Sequence, residues 1–217
     1  MMMTLKRFAA LAIAMICAVN LQAMEFDFSA LSSLCRVEVN LATGFGSGTV
    51  RGNFEKIRGK INFSPERPSL ATGQIFLNSR SLNFGHPQVS FDAHKSAWLD
   101  SKKFPEISFR LLQLTNLNWQ GRELRSEANG ILKIRGIERE TSIPLSLYYL
   151  RNERRKYQGR AGDLIRLNAL LTLPRSEFGI APNDYLESIL EEITVMVSIT
   201  GVSDFVRPFL PSRLFYN

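Results

Sequence analysis

Cysteine and histidine are scarce, with two of each in 217 residues. Two cysteines cannot build a disulfide scaffold, and two histidines leave little for a His-rich metal centre. Long apolar runs are also missing beyond the N-terminus, so nothing later in the chain approaches the roughly 20 residues that span a bilayer as a helix. Low-complexity tracts and internal repeats are absent. With 45% hydrophobic and 22% charged residues, the composition fits a packed globular chain and excludes a collagenous or disordered one.

Residues 1–23 have the layout of an export signal. Lys6 and Arg7 form a basic start, Phe8 to Val19 an apolar stretch of twelve, and Asn20 to Ala23 a polar break ending in a small residue. Cleavage is expected after Ala23, although Leu21 meets the small-residue rule poorly. Cys17 follows the bulky Ile16 inside the apolar run, which disfavours lipidation there. The expected destination is the periplasm. Removing 23 residues from 217 leaves 194, one domain's worth, expected as residues 24–217. Lys6 and Arg7 leave with the signal, so 27 basic residues become 25 against 20 acidic, a formal charge of +5. Cys35 then stands alone in an apolar alternation and reads as a buried, inert thiol.

Period-two alternation dominates after residue 30 and predicts strands with one buried face. Cys35, Val37, Val39 and Leu41 alternate with polar neighbours, as do Ile61 and Phe63, then Ile75 and Leu77. Ile107, Phe109 and Leu111 repeat the pattern, followed by Gly130, Leu132 and Ile134, then Ile143, Leu145 and Leu147. Val195, Val197 and Ile199 close the series, broken only by Met196. Seven or eight strands joined by turns such as Asn118 to Arg122 and Arg135-Gly136 predict an all-β, antiparallel protein. Two short helices are expected, Asp92 to Ser101 with Asp92 as N-cap, and Asp184 to Glu192 with Tyr185, Leu186, Ile189 and Leu190 on one face. Residues 151–162 read as a polar, basic loop between strands. A closed barrel or a sandwich would bury the apolar faces, and periodicity alone does not decide between them, nor between a filled and a hollow interior.

Four blocks resemble the YceI-like family. They are Gly52 to Pro68 (GNFEKIRGKINFSPERP), Asp92-Ala93-His94 through Trp98-Leu99-Asp100 to Phe104 to Phe109 (FPEISF), Gly130 to Leu145, and Arg175 to Ile180 (RSEFGI). The similarity runs from about residue 32 to 201, with residues 202–217 as an added tail. It implies an exported, lipocalin-like antiparallel β-barrel of about eight strands, with an apolar cavity for a long isoprenoid lipid, either a polyisoprenoid or an isoprenoid quinone. It implies a carrier or buffer rather than an enzyme, with no cofactor. Trp98 departs from the family's usual Phe.

On that resemblance the inward residues Phe63, Ile75, Leu77, Trp98, Phe109, Leu132, Ile134, Leu145, Leu147, Val195 and Val197 are the candidate ligand contacts. Without it, the alternating residues among them would read as filled core. Asp92, His94 and Arg175 are expected to be structural, with His94 bonded to backbone or to Asp92 and Arg175 paired with an acidic side chain. His86 lies eight residues from His94 across Pro87, with no helical spacing to share a metal. Neither G-x-S-x-G nor H-E-x-x-H occurs. Glu191 and Glu192 do not form one dyad, since adjacent strand residues face opposite ways, and Glu138 and Glu140 read as part of a solvated face.

Arg151 to Arg160 carries four Arg and one Lys, a loop suited to solvent or to an anionic lipid surface, and no nucleic-acid-binding signature accompanies it. Two other readings stand beside the carrier: a solid-core barrel binding a membrane or protein through its basic face and tail, and an enzyme using His94 or Asp92 as base.

Overall fold

The computed structural model describes residues 23–44, 48–181, 186 and 188–208. Residues 1–22 of the expected signal segment 1–23, Asp184, Tyr185 and Glu187 of the expected second helix, and residues 209–217 lie outside the described residues.

Eleven strands form one antiparallel sheet among the described residues: β1 (Met24–Asp27), β2 (Arg36–Thr43), β3 (Thr49–Phe54), β4 (Ile57–Phe63), β5 (Thr72–Asn78), β6 (Leu82–Asn83), β7 (Glu106–Gln120), β8 (Glu123–Ile134), β9 (Ile137–Leu150), β10 (Leu164–Pro174) and β11 (Ile189–Val202). The order β1-β4-β5-β7-β8-β9-β10-β11 returns to β1 through the pairing of Asp27 with Val202, which closes an eight-stranded barrel. β2, β3 and β6 continue the sheet from the first part of β11, Ile189 to Ser198. The expected all-β, lipocalin-like barrel is the observed fold. Closure leaves those eight strands few free edges and turns every inward side chain toward one interior.

Local chemistry sets the hairpins. Arg135 and Gly136 form the two-residue turn between β8 and β9 with φ of 51° and 78°, the left-handed pair that matches strand twist. Register shifts in β7 between Leu111 and Gln113 flip the alternation, so Ile107, Phe109 and Leu111 face inward and Leu114 resumes that face, while Leu112 is exposed. Met196 breaks its alternation because it lies outside, opposite Leu170 on β10, where both are exposed.

Three expectations need correction. The helix expected at Asp92 to Ser101 starts earlier: α1 spans Pro87–Ala93, with Pro87 in its first turn and Asp92 buried in its last. The remainder, residues 94–103, is a run of turns. Proline at a helix start loses no intrahelical bond, so the helix begins there and not at Asp92. The helix expected over Asp184 to Glu192 does not extend through Ile189 to Glu192, which begin β11. A register shift between Ile189 and Ile193 spoils the two-residue period there and lets the segment mimic a helical one. The loop at 151–162 contains a short helix, α2 (Arg154–Gln158), and Arg154 is buried.

Candidate functional site: an apolar chamber inside the barrel

Eight strands make a barrel just wide enough for side chains to fill. Here the fill is incomplete, because Ala71, Gly73, Ala128 and Ala169 stand among the lining positions. A chamber of about 200 Å³ remains. That exceeds the roughly 150 Å³ of engineered apolar cavities that stay dry and take up benzene. Gly130 faces the same interior: a Cβ there would lie 2.3 Å from the Arg110 carbonyl and 2.7 Å from the Phe109 ring. Only glycine lets that ring lie flat against the neighbouring strand.

All eleven residues put forward as ligand contacts line this chamber: Phe63, Ile75, Leu77, Trp98, Phe109, Leu132, Ile134, Leu145, Leu147, Val195 and Val197. Others lining it were seen as strand residues but not as site residues, among them Val37, Val39 and Ile61. Leu167, Ala169, Leu171 and Leu173 also line it. Their strand, β10, was hidden because outward Leu164 and Leu170 interrupt the polar half of the alternation.

The end near α1, the helix end, is covered by residues 94–105 and the turn after β10. Arg135 holds that cover, donating to the carbonyls of Ala97 at 3.1 Å and Ser96 at 2.8 Å, and to that of Gly179. His94 Nε2 lies 3.0 Å from the Leu82 carbonyl and its Nδ1 2.9 Å from Ser101 Oγ. A carbonyl only accepts, so Nε2 carries the proton and Nδ1 accepts from the Ser101 hydroxyl. Burial pulls the imidazole below its ordinary value near 6.5, and the Leu82 bond opposes this in part. His94 is thus engaged at both nitrogens and is not among the residues lining the chamber. Its backbone partner is Leu82, while Asp92 pairs with Lys95 Nζ at 2.7 Å. Arg175 lines the chamber, donates to the Ile180 carbonyl at 2.8 Å and the Leu190 carbonyl at 3.3 Å, and lies 3.6 Å from Glu191.

The opposite, tail end is floored by Phe26, Phe63 and Tyr149, whose ring centroids are 6.3 to 6.5 Å apart. Behind them lies a buried polar network. Asp163, 0% exposed, accepts from the Tyr149 hydroxyl, from Asn152 N at 2.8 Å and from Arg207 N at 2.9 Å. Burial, and then the Asp163 carboxylate, push the Tyr149 phenol far above its usual range. The Arg207 guanidinium, in the added tail, bonds Glu66 Oε1 at 2.8 Å and Ser64 Oγ at 3.2 Å. Arg154 reaches the Ser203 carbonyl at 3.1 Å and pairs with Asp204. Part of the expected basic loop therefore anchors the tail, while Arg155, Lys156 and Arg160 remain exposed.

Cys35 Sγ lies 3.6 Å from the carbonyls of Phe28 and Thr200 and accepts from Thr200 N at 3.4 Å. Burial raises its thiol above the ordinary range, so little thiolate forms. Of the carboxylate pairs, Glu138 bonds Lys133 at 3.0 Å, and Glu191 accepts from Ser176. Among the described residues no group of three or more His, Cys, Asp or Glu could hold a metal, and no helix is long and apolar enough to cross a membrane.

A closed antiparallel barrel around an apolar chamber defines a class of fold, the lipocalin-like barrel. The chain belongs to the YceI-like domain family, whose match covers residues 28–201. Solved structures agree on the fold. BcnA of Burkholderia cenocepacia is 15% identical with a TM-score of 0.62, covering 78% of this chain and 97% of its own. The Campylobacter jejuni YceI protein is 14% identical at 0.60, covering 75% and 90%. A polyisoprenoid binding domain from Saccharophagus degradans, described as implicated in plant cell wall breakdown, is 11% identical at 0.58, covering 84% and 99%. No curated protein matches the chain.

Proposed function

We propose that this protein is an exported, non-enzymatic carrier or buffer that holds a long isoprenoid lipid, a polyisoprenoid or an isoprenoid quinone, in the barrel chamber. The observation that carries the reading is the chamber itself, a space of about 200 Å³ walled almost wholly by Phe, Leu, Ile, Val and Ala. Each methylene or methyl withdrawn from water contributes about 0.8 kcal/mol, so an apolar chain gains more from this wall than from any single polar contact. Family membership and the polyisoprenoid binding neighbour support the same ligand class. The two engaged nitrogens of His94 favour binding over catalysis.

The basic start and apolar run of residues 1–23 support export to the periplasm. There the exposed Arg155, Lys156 and Tyr157 of α2 offer a weak, transient contact for an anionic membrane.

Lipid extraction of the natively purified protein followed by mass spectrometry tests the reading, with an isoprenoid lipid expected. Leu132→Trp sharpens it. In a chamber, the added ring occupies ligand space and abolishes binding of a fluorescent isoprenoid analogue at small cost in stability. Overpacking of a filled core would cost about 1–3 kcal/mol. A strongly destabilised variant, together with a wild type that binds no analogue, would reject the carrier.

A further inference from the structure

Two neighbouring strands of the barrel wall separate before they reach the helix end. β9 and β10 pair from Leu150 and Leu164 as far as Leu145 and Ala169, and no further. Yet β9 continues to Ile137 against β8, and β10 continues to Pro174 against β11. Pro144, next to the last pair, has no N–H to offer a neighbour, which suits it to the end of a ladder. Among the described residues, no other strand pairs with the facing edges at 137–144 and 170–174.

The turn that follows β10, residues 175–181, completes the wall there. Phe178 and Ile180 are 2% and 5% exposed, and both line the chamber. The turn is tied to β11 by Arg175 on the Leu190 carbonyl and by Ser176 N on Glu191, and to the cover by Ala181 N on the Ala97 carbonyl at 2.8 Å. Its middle is held toward β9 by side chains: Arg139 on the Glu177 carbonyl at 3.0 Å, and Arg135 on that of Gly179. Exposed guanidiniums exchange a carbonyl for water at little cost, and no strand ladder has to break. Moving the cover instead would break Ser79 N to the Pro105 carbonyl at 2.9 Å and Ser79 Oγ to that of Phe104 at 2.6 Å, besides the bonds of His94. Outside the gap, Leu170 and Met196 lie side by side, 58% and 42% exposed.

We propose that the ligand enters and leaves sideways, between β9 and β10, when the middle of the 175–181 turn swings away from β9. Leu170 and Met196 are the apolar lip that first meets the isoprenoid chain. The inference rests on the carrier reading and adds the route and the moving part.

Two cross-links, made on the folded, delipidated protein in a Cys35→Ala background, separate the routes. A short bismaleimide joins Arg139→Cys to Glu177→Cys, pinning the turn to β9, or Arg80→Cys to Lys102→Cys, pinning the cover where Arg80 bonds the Lys102 carbonyl. Uptake and release of geranylgeraniol and ubiquinone-4 are followed by tryptophan fluorescence in a stopped-flow, each linked protein against its unlinked form. The side link is expected to slow both by at least about tenfold, and the cover link to change neither. Exchange slowed by the cover link, or unaffected by the side link, overturns the route and leaves the carrier intact.

Leu170→Glu tests the lip without cross-links and decides alone should a cysteine pair fail to fold. Uptake and release are expected to slow together by about threefold or more, with the dissociation constant unchanged. Exchange as fast as in wild type would overturn the lip. A wild type that takes up neither probe rejects the carrier and the route together.

Discussion

The two ends of the barrel are built with different chemistry. At the tail end a fully buried carboxylate, a buried guanidinium and a phenol satisfy one another behind three packed rings. At the helix end, partly exposed side chains reach over the cover and grip main-chain carbonyls. A buried charge cannot leave its partner without stranding it in a low-dielectric interior, whereas a guanidinium at the surface trades a carbonyl for water at little cost. The contrast teaches that the floor is fixed and that the helix end is the cheaper place to open.

The sharpest way to break the contrast is Asp163→Ala. It strands the Tyr149 hydroxyl and two main-chain N–H groups, and it is expected to cost more than about 3 kcal/mol in urea unfolding, with ligand affinity per folded molecule retained. A midway test is Gly130→Ala, whose methyl meets the Arg110 carbonyl and the Phe109 ring. About 1–3 kcal/mol of stability should be lost, and the displaced ring should reduce binding of the isoprenoid analogue.

Arg135→Ala addresses the helix end. Stability should fall by about 1 kcal/mol while the ligand's dissociation rate, followed by stopped-flow fluorescence, rises. If dissociation is unchanged and the tail-end variant accelerates it instead, the assignment of the two ends is reversed.

The smallest effect expected is one of pH. His94 is held neutral, with its folded pKa below the unfolded one, so the unfolded chain takes up the proton first as pH falls. Its contribution is complete above about pH 6.5 and is lost on acidification below that value. The melting temperature should therefore drop less between pH 7 and pH 5 in His94→Gln than in wild type, with ligand affinity at pH 7 nearly unchanged.

Much of this was legible because a barrel wall writes its inside and outside alternately into the chain. Phe63, Leu132 and Val197 could be placed on the inner face from neighbours alone. β1 was too short to show a period. β3 was obscured by Gly52, which is buried against the Phe84 ring, and β10 by its outward leucines. The start of β11 imitated a helix across its register shift. The polar floor was beyond sequence reasoning, since Tyr149, Asp163 and Arg207 sit on separate segments and only the pairing of β9, β10 and β11 brings them together. Trp98 was visible as a departure from the family pattern, but the parting of β9 from β10 was not.

The pairing that completes the ring joins residue 27 to residue 202. β1 is made first and β11 last, so no partial chain can close the barrel, and the final contact must overcome the loop entropy of nearly the whole domain. A nascent chain of this design cannot close its ring until β11 has been made. For the exported carrier proposed above, that late closure keeps the chain in a state that can be threaded through a membrane before it folds.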